Sequence, residues 1–354
     1  MSVQLITDLL KQVNYPGFSR DIVSFGLIRE TQFENGLARI KLEIVSSEPT
    51  LPKKLKDEIE NTLLANEEVK KVEVQIVVKK PPMEQSINGQ GEEDSALAGV
   101  KKIVAVASGK GGVGKSTLAV NLACAMERII SSELSRPAKI GLMDCDVYGP
   151  SVPLLIGASG QPESLGDDRI APIESYGVKV MSMALLVDED APVVWRGPMV
   201  MKTIQQFAAN VEWGELDLLL IDLPPGTGDA QLSIAQTMPL DGVVVVTTPQ
   251  KAAVDVARRG ARMFEKVNVP ILGVVENMSF LLNEETGEKS HLFGKGGGPV
   301  TAHALTTSFL GEIPIHEEIR MGGDHGLPIV VSNPEHFASQ AIIAVAQEVY
   351  SILD

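Results

Sequence analysis

Apolar positions along the chain fall into two rhythms. One recurs every three to four residues, as on a helix face. The other alternates or runs continuously, as in strands. Val3 to Val13 has the helical rhythm, while Phe25 to Phe33 and Leu37 to Val45 read as strands. Between the strands, Glu34-Asn35-Gly36 carries the Asn-Gly signal of a tight hairpin turn. Leu51 to Leu64 reads as a helix with Pro52 in its first turn and Leu55, Ile59 and Leu63 on one face. Val72 to Ile76 then alternates with period two. The order α-β-β-α-β predicts a small α+β domain over residues 1–79.

Residues 80–100 hold little to bury. Pro81-Pro82 leads into a polar stretch with Gly89, Gly91 and several acids, which predicts a flexible linker. From Lys101 onward strands alternate with helical stretches. Ile103 to Ala107, Lys139 to Met143, Leu216 to Ile221, Gly242 to Thr247 and Ile271 to Val275 are apolar runs of strand length. Leu118 to Met126 and Ala253 to Lys266 read as helices. Such alternation predicts an α/β domain over 101–354, a mostly parallel sheet with helices on both faces. Ligands of such sheets gather at the carboxyl ends of the strands.

Composition narrows the classes. A chain of 354 residues, 44% hydrophobic and 22% charged, supports a large core and two domains. No apolar run approaches the ~20 residues of a membrane span. The start, Met1-Ser2-Val3-Gln4, lacks a basic region before an apolar core, so no secretory signal is expected. Two cysteines, Cys124 and Cys145, make no disulfide framework, and the chain reads as cytoplasmic. The net charge of −15 argues against a general nucleic-acid binder. The first unit is nearly neutral, with eleven basic against twelve acidic side chains through Lys79, so the acidity lies downstream. Lys251, Arg258, Arg259, Arg262 and Lys266 form a basic run, read as a solvated helix face. His336 to Asp354 contains no Lys or Arg, unlike a membrane-targeting amphipathic helix. Neither nucleic acid nor membrane is expected as a partner.

The strongest chemistry sits between the first strand and helix of the large domain. Ser108-Gly109-Lys110-Gly111-Gly112-Val113-Gly114-Lys115-Ser116-Thr117 meets the pattern G-x-x-x-x-G-K-[ST]. Glycines let backbone N–H groups wrap a phosphate chain, and the following helix turns its positive end toward the anion. Lys115 is placed to reach the β/γ-phosphates and the Ser116 hydroxyl to ligate Mg²⁺. Asp222, closing an apolar strand before Leu223-Pro224-Pro225-Gly226, reads as the second anchor for Mg²⁺. The Gly226 N–H is expected to face the γ-phosphate. Asp144 and Asp146 end another strand. Asp144 is assigned to Mg²⁺, and Asp146 to positioning or deprotonating the attacking water.

These segments resemble the deviant phosphate-loop ATPases, whose signature is the extra lysine, here Lys110. The resemblance implies that Lys110 reaches across a homodimer to the partner's nucleotide. It is closer still to the Mrp (ApbC/Nbp35) iron–sulfur cluster carriers. The residues are Asp144 to Ser151, Trp195 to Met199, Asp222 to Asp229, Thr248-Pro249-Gln250, Gly273 to Ser279, Phe293 to Gly298, Gly311 to Ile315 and Gly322-Gly323-Asp324. The likeness implies an ATP-hydrolysing carrier that serves iron–sulfur clients. Asn277 would meet the adenine edge and Pro314 would pack on the base. The first unit is similar to the MIP18-like domain of iron–sulfur assembly proteins, through Asp21 to Ile28, the Asn35-Gly36 turn and the Leu-rich helix. That domain's Asp-Pro-Glu is here replaced by Asn14-Tyr15-Pro16-Gly17, and no cysteine precedes the second helix.

The chain departs from the carriers in one place. Their C-x-x-C pair, which holds a [4Fe–4S] cluster between two subunits, would fall at Asn283 and Thr286. Cys124 and Cys145 read as packing residues. His291, His303, His316 and His325 show no spacing of a recognised metal site. A cluster-free, ATP-dependent scaffold or chaperone for protein clients is the alternative function; a positioning ATPase on membrane or DNA is a more distant one.

Overall fold

A computed structural model describes residues 3–13, 22–23, 27–34, 36–45, 51–66, 69–79, 97–166, 168–186, 197–226 and 228–353. The chain forms two compact units, residues 1–90 and 91–354. In the first, α1 (Val3–Leu10), β1 (Ile28–Glu34), β2 (Leu37–Val45), α2 (Leu51–Leu64) and β3 (Lys71–Lys79) follow the order read from the sequence. β1 and β2 form a hairpin with Glu34 opposite Leu37, and Gly36 takes the positive φ (80°) that a turn this tight requires. β3 pairs parallel to β2. Leu55, Ile59 and Leu63 of α2 are fully buried against Ile40 and Leu42, with Ile6 and Leu10 of α1 in the same core. Asp21 and residues 24–26 of the Asp21–Ile28 motif, and Asn14–Gly17, fall outside the described residues, as does the linker from residue 80 to residue 96. Residues 97–100, expected in the linker, pack instead: Leu97 is buried and Val100 bridges Leu216.

The second unit opens with β4 (Ile103–Ser108), α3 (Lys115–Leu134), β5 (Ile140–Asp144) and α4 (Val152–Ile156). Short strands follow: β6 (Ser164–Gly166), β7 (Arg169–Ile170), β8 (Ile173–Ser175) and β9 (Val178–Met181). Next come α5 (Gly197–Asn210), β10 (Leu218–Asp222), α6 (Asp229–Thr237), β11 (Gly242–Thr247), α7 (Lys251–Lys266) and β12 (Ile271–Glu276). The chain ends with β13 (Leu281–Leu282), β14 (Lys289–Ser290), α8 (Gly297–Ala304), β15 (Phe309–Glu312), α9 (Glu317–His325), α10 (Ile329–Ser332) and α11 (Phe337–Leu353). One eight-stranded sheet has the order β15-β12-β11-β4-β10-β5-β9-β8, parallel except for β8 against β9.

The central strands are buried on both faces, which is why they read as unbroken apolar runs. Val104 and Val106 of β4 point into one core with Leu118, Leu122 and Met126 of α3 and Ile342 and Val345 of α11. Ile103, Ala105 and Ala107 point into the other, with Ile204 and Phe207 of α5 and Ile234 of α6. At the amino-terminal edge of the sheet, Asp217 takes both guanidinium nitrogens of Arg136 (2.7 and 2.8 Å), the Lys101 ammonium (2.9 Å) and the Lys139 N–H. Hydrogen bonding to Arg136 leads these in holding the Asp217 carboxyl far below the usual carboxylate range. Among the described residues, no helix is long and apolar enough to cross a membrane.

Candidate nucleotide site

Three strands deliver the site to one edge. β10 lies between β4 and β5, and the register sets Asp222 beside Val106 on one side and Asp144 on the other. The loop after β4, Asp222 and Asp144 therefore meet at the carboxyl ends, as the sequence pattern requires. Gly109 packs against the α7 backbone: an added Cβ would lie 2.5 Å from the Ala257 nitrogen. Gly112 and Gly114 have φ near +77°, which only glycine adopts readily. Gly111 and Gly112 are exposed and Val113 is buried, so the loop offers its backbone outward from an anchored base.

Lys115 is 5% exposed. Its ammonium donates to Asp222 Oδ1 and to Ser116 Oγ (3.2 Å), and Ser116 Oγ donates to Asp222 Oδ2 at 2.6 Å. The three residues assigned to phosphate and Mg²⁺ thus form one closed hydrogen-bonded triangle. Thr117 follows in the first turn of α3, where its carbonyl accepts from Asn121. Asp144 Oδ1 accepts the Asp146 N–H (3.0 Å), and Oδ2 accepts Ser182 Oγ (2.9 Å) and the Val152 N–H (3.4 Å). Burial, and then the charge of Asp222, push the Asp144 carboxyl up to about 7, against the pull of its hydrogen bonds and of Lys115. Burial likewise raises Asp222, with Lys115 opposing. Two adjacent buried carboxylates with one ammonium between them form an electrostatic arrangement that a divalent cation relieves, so the donor set fits Mg²⁺. Asp146 is half-buried, and its Oδ1 accepts the Gly149 N–H at 3.3 Å.

Several placements differ from the sequence reading. The Gly226 N–H, expected to face a γ-phosphate, donates to Ser108 O at 3.0 Å, because the Pro-Pro-Gly turn folds back on the end of β4. Asn277, expected at an adenine edge, gives its amide to the Val113 carbonyl (2.8 Å), which the turn at Gly114 points outward. Pro314 is buried in a segment laced to the Asn277 turn through Ile313 N–H to Glu276 O and Ser279 N–H to Ile313 O. Lys110 Nζ, expected to reach a partner's nucleotide, donates to Gln250 Oε1 (3.3 Å) of the same chain. Ser182, which donates to Asp144, and Gln231, whose amide clasps the Ser108 and Pro224 carbonyls, are not marked by the sequence pattern. Only their polar character beside apolar strands could have marked them.

Both cysteines are buried. Burial pushes the Cys124 thiol up to about 12 and raises Cys145 well above the usual thiol range. Neither presents a thiolate. Asn283 and Thr286 form a closed turn between β13 and β14, in which Asn283 Oδ1 accepts the N–H groups of Glu285 and Thr286 at 3.0 Å. Among the named histidines, His291 bonds Ser279 O and His325 bonds Met321 O.

Comparison with known proteins agrees with this edge. The chain is 53% identical over 253 residues to "Iron-sulfur protein required for NADH dehydrogenase, mitochondrial" of Arabidopsis thaliana, covering 72% of this chain and 79% of that protein. It is 37% identical to the "Iron-sulfur cluster carrier protein" of a Synechocystis strain, over 99% of this chain and 97% of that one. Among solved structures, a nucleotide-binding protein in complex with ADP from Archaeoglobus fulgidus superposes with a TM-score of 0.59 at 35% identity, covering 70% of this chain and 94% of that one. The septum site-determining protein MinD of Pyrococcus horikoshii, at 24% identity and a TM-score of 0.50, shares the fold; it covers 70% of this chain and 95% of that one. The family of iron–sulfur cluster assembly proteins matches residues 4–76. With a phosphate loop, paired strand-end aspartates and a family match running over residues 99–350, the chain belongs to the NUBPL iron-transfer P-loop NTPases.

Proposed function

We propose that this protein is an Mg²⁺-dependent ATPase that carries iron–sulfur clusters, or helps assemble them, as a nucleotide-switched homodimer in the cytoplasm. The observation that carries the reading is the Lys115–Ser116–Asp222 triangle, which sets the cation for phosphate and both oxygen donors for a metal on one spot. Ser116 and Asp222 would hold Mg²⁺, which would supply charge neutralisation for bound phosphates. The chain's own groups do the rest. Lys115 and the backbone of Gly109 to Gly114 hold the phosphates, Ser116 and Asp222 would ligate the metal, and Asp144, the register partner of Asp222, would add its charge to the site. Asp146, the carboxylate beside the loop that is not fully buried, orients water and accepts its proton. Lys110 completes a neighbouring protomer's site by exchanging Gln250 for phosphate. Residues 1–79 act as the client-facing domain and 101–354 as the motor.

Lys115→Ala tests the reading. ATP hydrolysis by the variant is expected to fall at least about a hundredfold; hydrolysis at the wild-type rate would overturn the site assignment.

The buried cysteines and the self-closed Asn283 turn favour a second reading, a scaffold that is switched by ATP but carries no cluster. Iron and acid-labile sulfide in anaerobically purified protein separate the two. Stoichiometric sulfide supports carriage, and nucleotide-dependent client binding without sulfide supports the scaffold.

A further inference from the structure

The hairpin tip that carries Asn283 and Thr286 reaches two imidazoles. Glu284 Oε1 lies 2.9 Å from His316 Nε2 and 4.0 Å from His336 Nε2. One ligand atom from each of the three residues lies within 4.8 Å of the others. His316 precedes α9, His336 precedes α11, and the hairpin lies between β12 and α8. Three distant parts of the sequence therefore converge. The rings are held: their centroids are 4.4 Å apart, and Phe337 packs at 4.4 Å from one and 5.2 Å from the other. Both histidine side chains are about 85% buried, whereas Glu284 is 62% exposed, so the group opens to solvent on the carboxylate side.

We propose that Glu284, His316 and His336 form a mononuclear site for a divalent first-row transition ion of the Fe(II), Co(II) or Zn(II) class, separate from the Mg²⁺–nucleotide site. Two imidazoles and one carboxylate are the donor set that such ions prefer over Mg²⁺ or Ca²⁺. An ion about 2.0–2.2 Å from each donor places tetrahedral ligand atoms roughly 3.4 Å apart. The two separations to Glu284 bracket that value, and the exposed carboxylate can move to meet it. Solvent completes the coordination.

The rings' other nitrogens set the selectivity. His316 Nδ1 accepts the Glu318 N–H, and His336 Nδ1 accepts the Ala338 N–H, each at 3.2 Å. Each neutral ring therefore carries its proton on Nε2. An ion that takes Nε2 displaces that proton to Nδ1, through solvent, and each ring gives up its helix cap. The caps are long and weak. An ion with high affinity for imidazole offsets their loss, and Mg²⁺ does not. This ion is distinct from a thiolate-held cluster and requires neither cysteine.

The test is Co(II) titration of the full-length protein, read by visible absorption and equilibrium dialysis in the presence of excess Mg²⁺. One Co(II) per chain is expected, with the intense d–d bands of a four- or five-coordinate ion. Glu284→Gln, and a double variant His316→Asn with His336→Asn, are expected to weaken binding at least about tenfold. Asn caps helices well, so the double variant removes the ligands while keeping the caps. Nucleotide binding, which uses other residues, is expected to stay at the wild-type level in both variants and confirms that they are folded. Wild-type protein that retains no Co(II), or folded variants that bind it undiminished, would overturn the proposal and leave the ATPase reading standing.

Discussion

Replacing Asp144 by Asn should reverse part of the pH dependence of stability. The Asp144 carboxyl is buried beside Asp222 and is raised to about 7. An unfolded aspartate titrates near 3.9. Between those values the folded chain binds more protons than the unfolded one, so stability falls as pH rises through the window and levels off above about pH 7. From pH 5 to pH 8 the shift spans about two units beyond pH 5, or about 3 kcal/mol. Asn carries no charge and no such slope. Its amide can keep the Asp146 N–H through its oxygen and turn the Ser182 hydroxyl into an acceptor, so it loses little more than the 3.4 Å bond from Val152. That fixed cost cancels in the comparison between pH values. In EDTA without nucleotide, thermal unfolding of both proteins at pH 5, 6, 7 and 8 should show the variant gaining about 3 kcal/mol on wild type across the range, roughly 6–10 °C in midpoint. Parallel midpoint curves for the two proteins would refute the charged-pair argument.

Three further outcomes follow from the same geometry. Asp146→Asn should bind Mg·ATP normally but turn over at least about tenfold more slowly, which single-turnover hydrolysis would measure; unchanged turnover removes Asp146 from the water-activating role. Lys110→Ala should retain nucleotide binding while losing ATP-dependent self-association, and sedimentation with a non-hydrolysable analogue checks this; equal association in both proteins counts against a shared site. Asp217→Asn strips charge from a carboxylate held by the partly exposed Arg136 and Lys101 and should cost about 1–2 kcal/mol in urea unfolding at pH 7. That difference should shrink as pH falls toward the lowered carboxyl value, because the Asp217 contribution is present above the ordinary carboxylate range and is lost in acid.

Much of this was legible in sequence where the determinant was local. β4, its glycine loop and α3 are contiguous, and each reports itself: an apolar run, then glycines, then Lys115-Ser116 opening a helix. Asp144 and Asp222 were readable because each ends a buried strand, although their being register partners depends on strand order, which no local pattern encodes. The short strands β6 to β9 were missed because two to four residues are too few to show a period. The Glu284–His316–His336 group was illegible for a different reason. Its members span 52 residues, from a hairpin tip at Glu284 to helix caps at His316 and His336, and His336 reads from sequence only as the residue before an apolar helix.

The contact at Gly109 has a mechanical consequence. With no space for even a methyl group between the phosphate loop and the backbone of Val256 and Ala257, loop and helix cannot slide independently. The glycine acts as a hinge pin of zero clearance. From Ala257 to the far end of α7 at Lys266 is about 14 Å at 1.5 Å per residue. A tilt of about 5° at the pin therefore swings that end by about 1 Å, and Arg262, partway along, by about 0.7 Å. A displacement too small to notice at a phosphate grows along α7 toward its far end at Lys266.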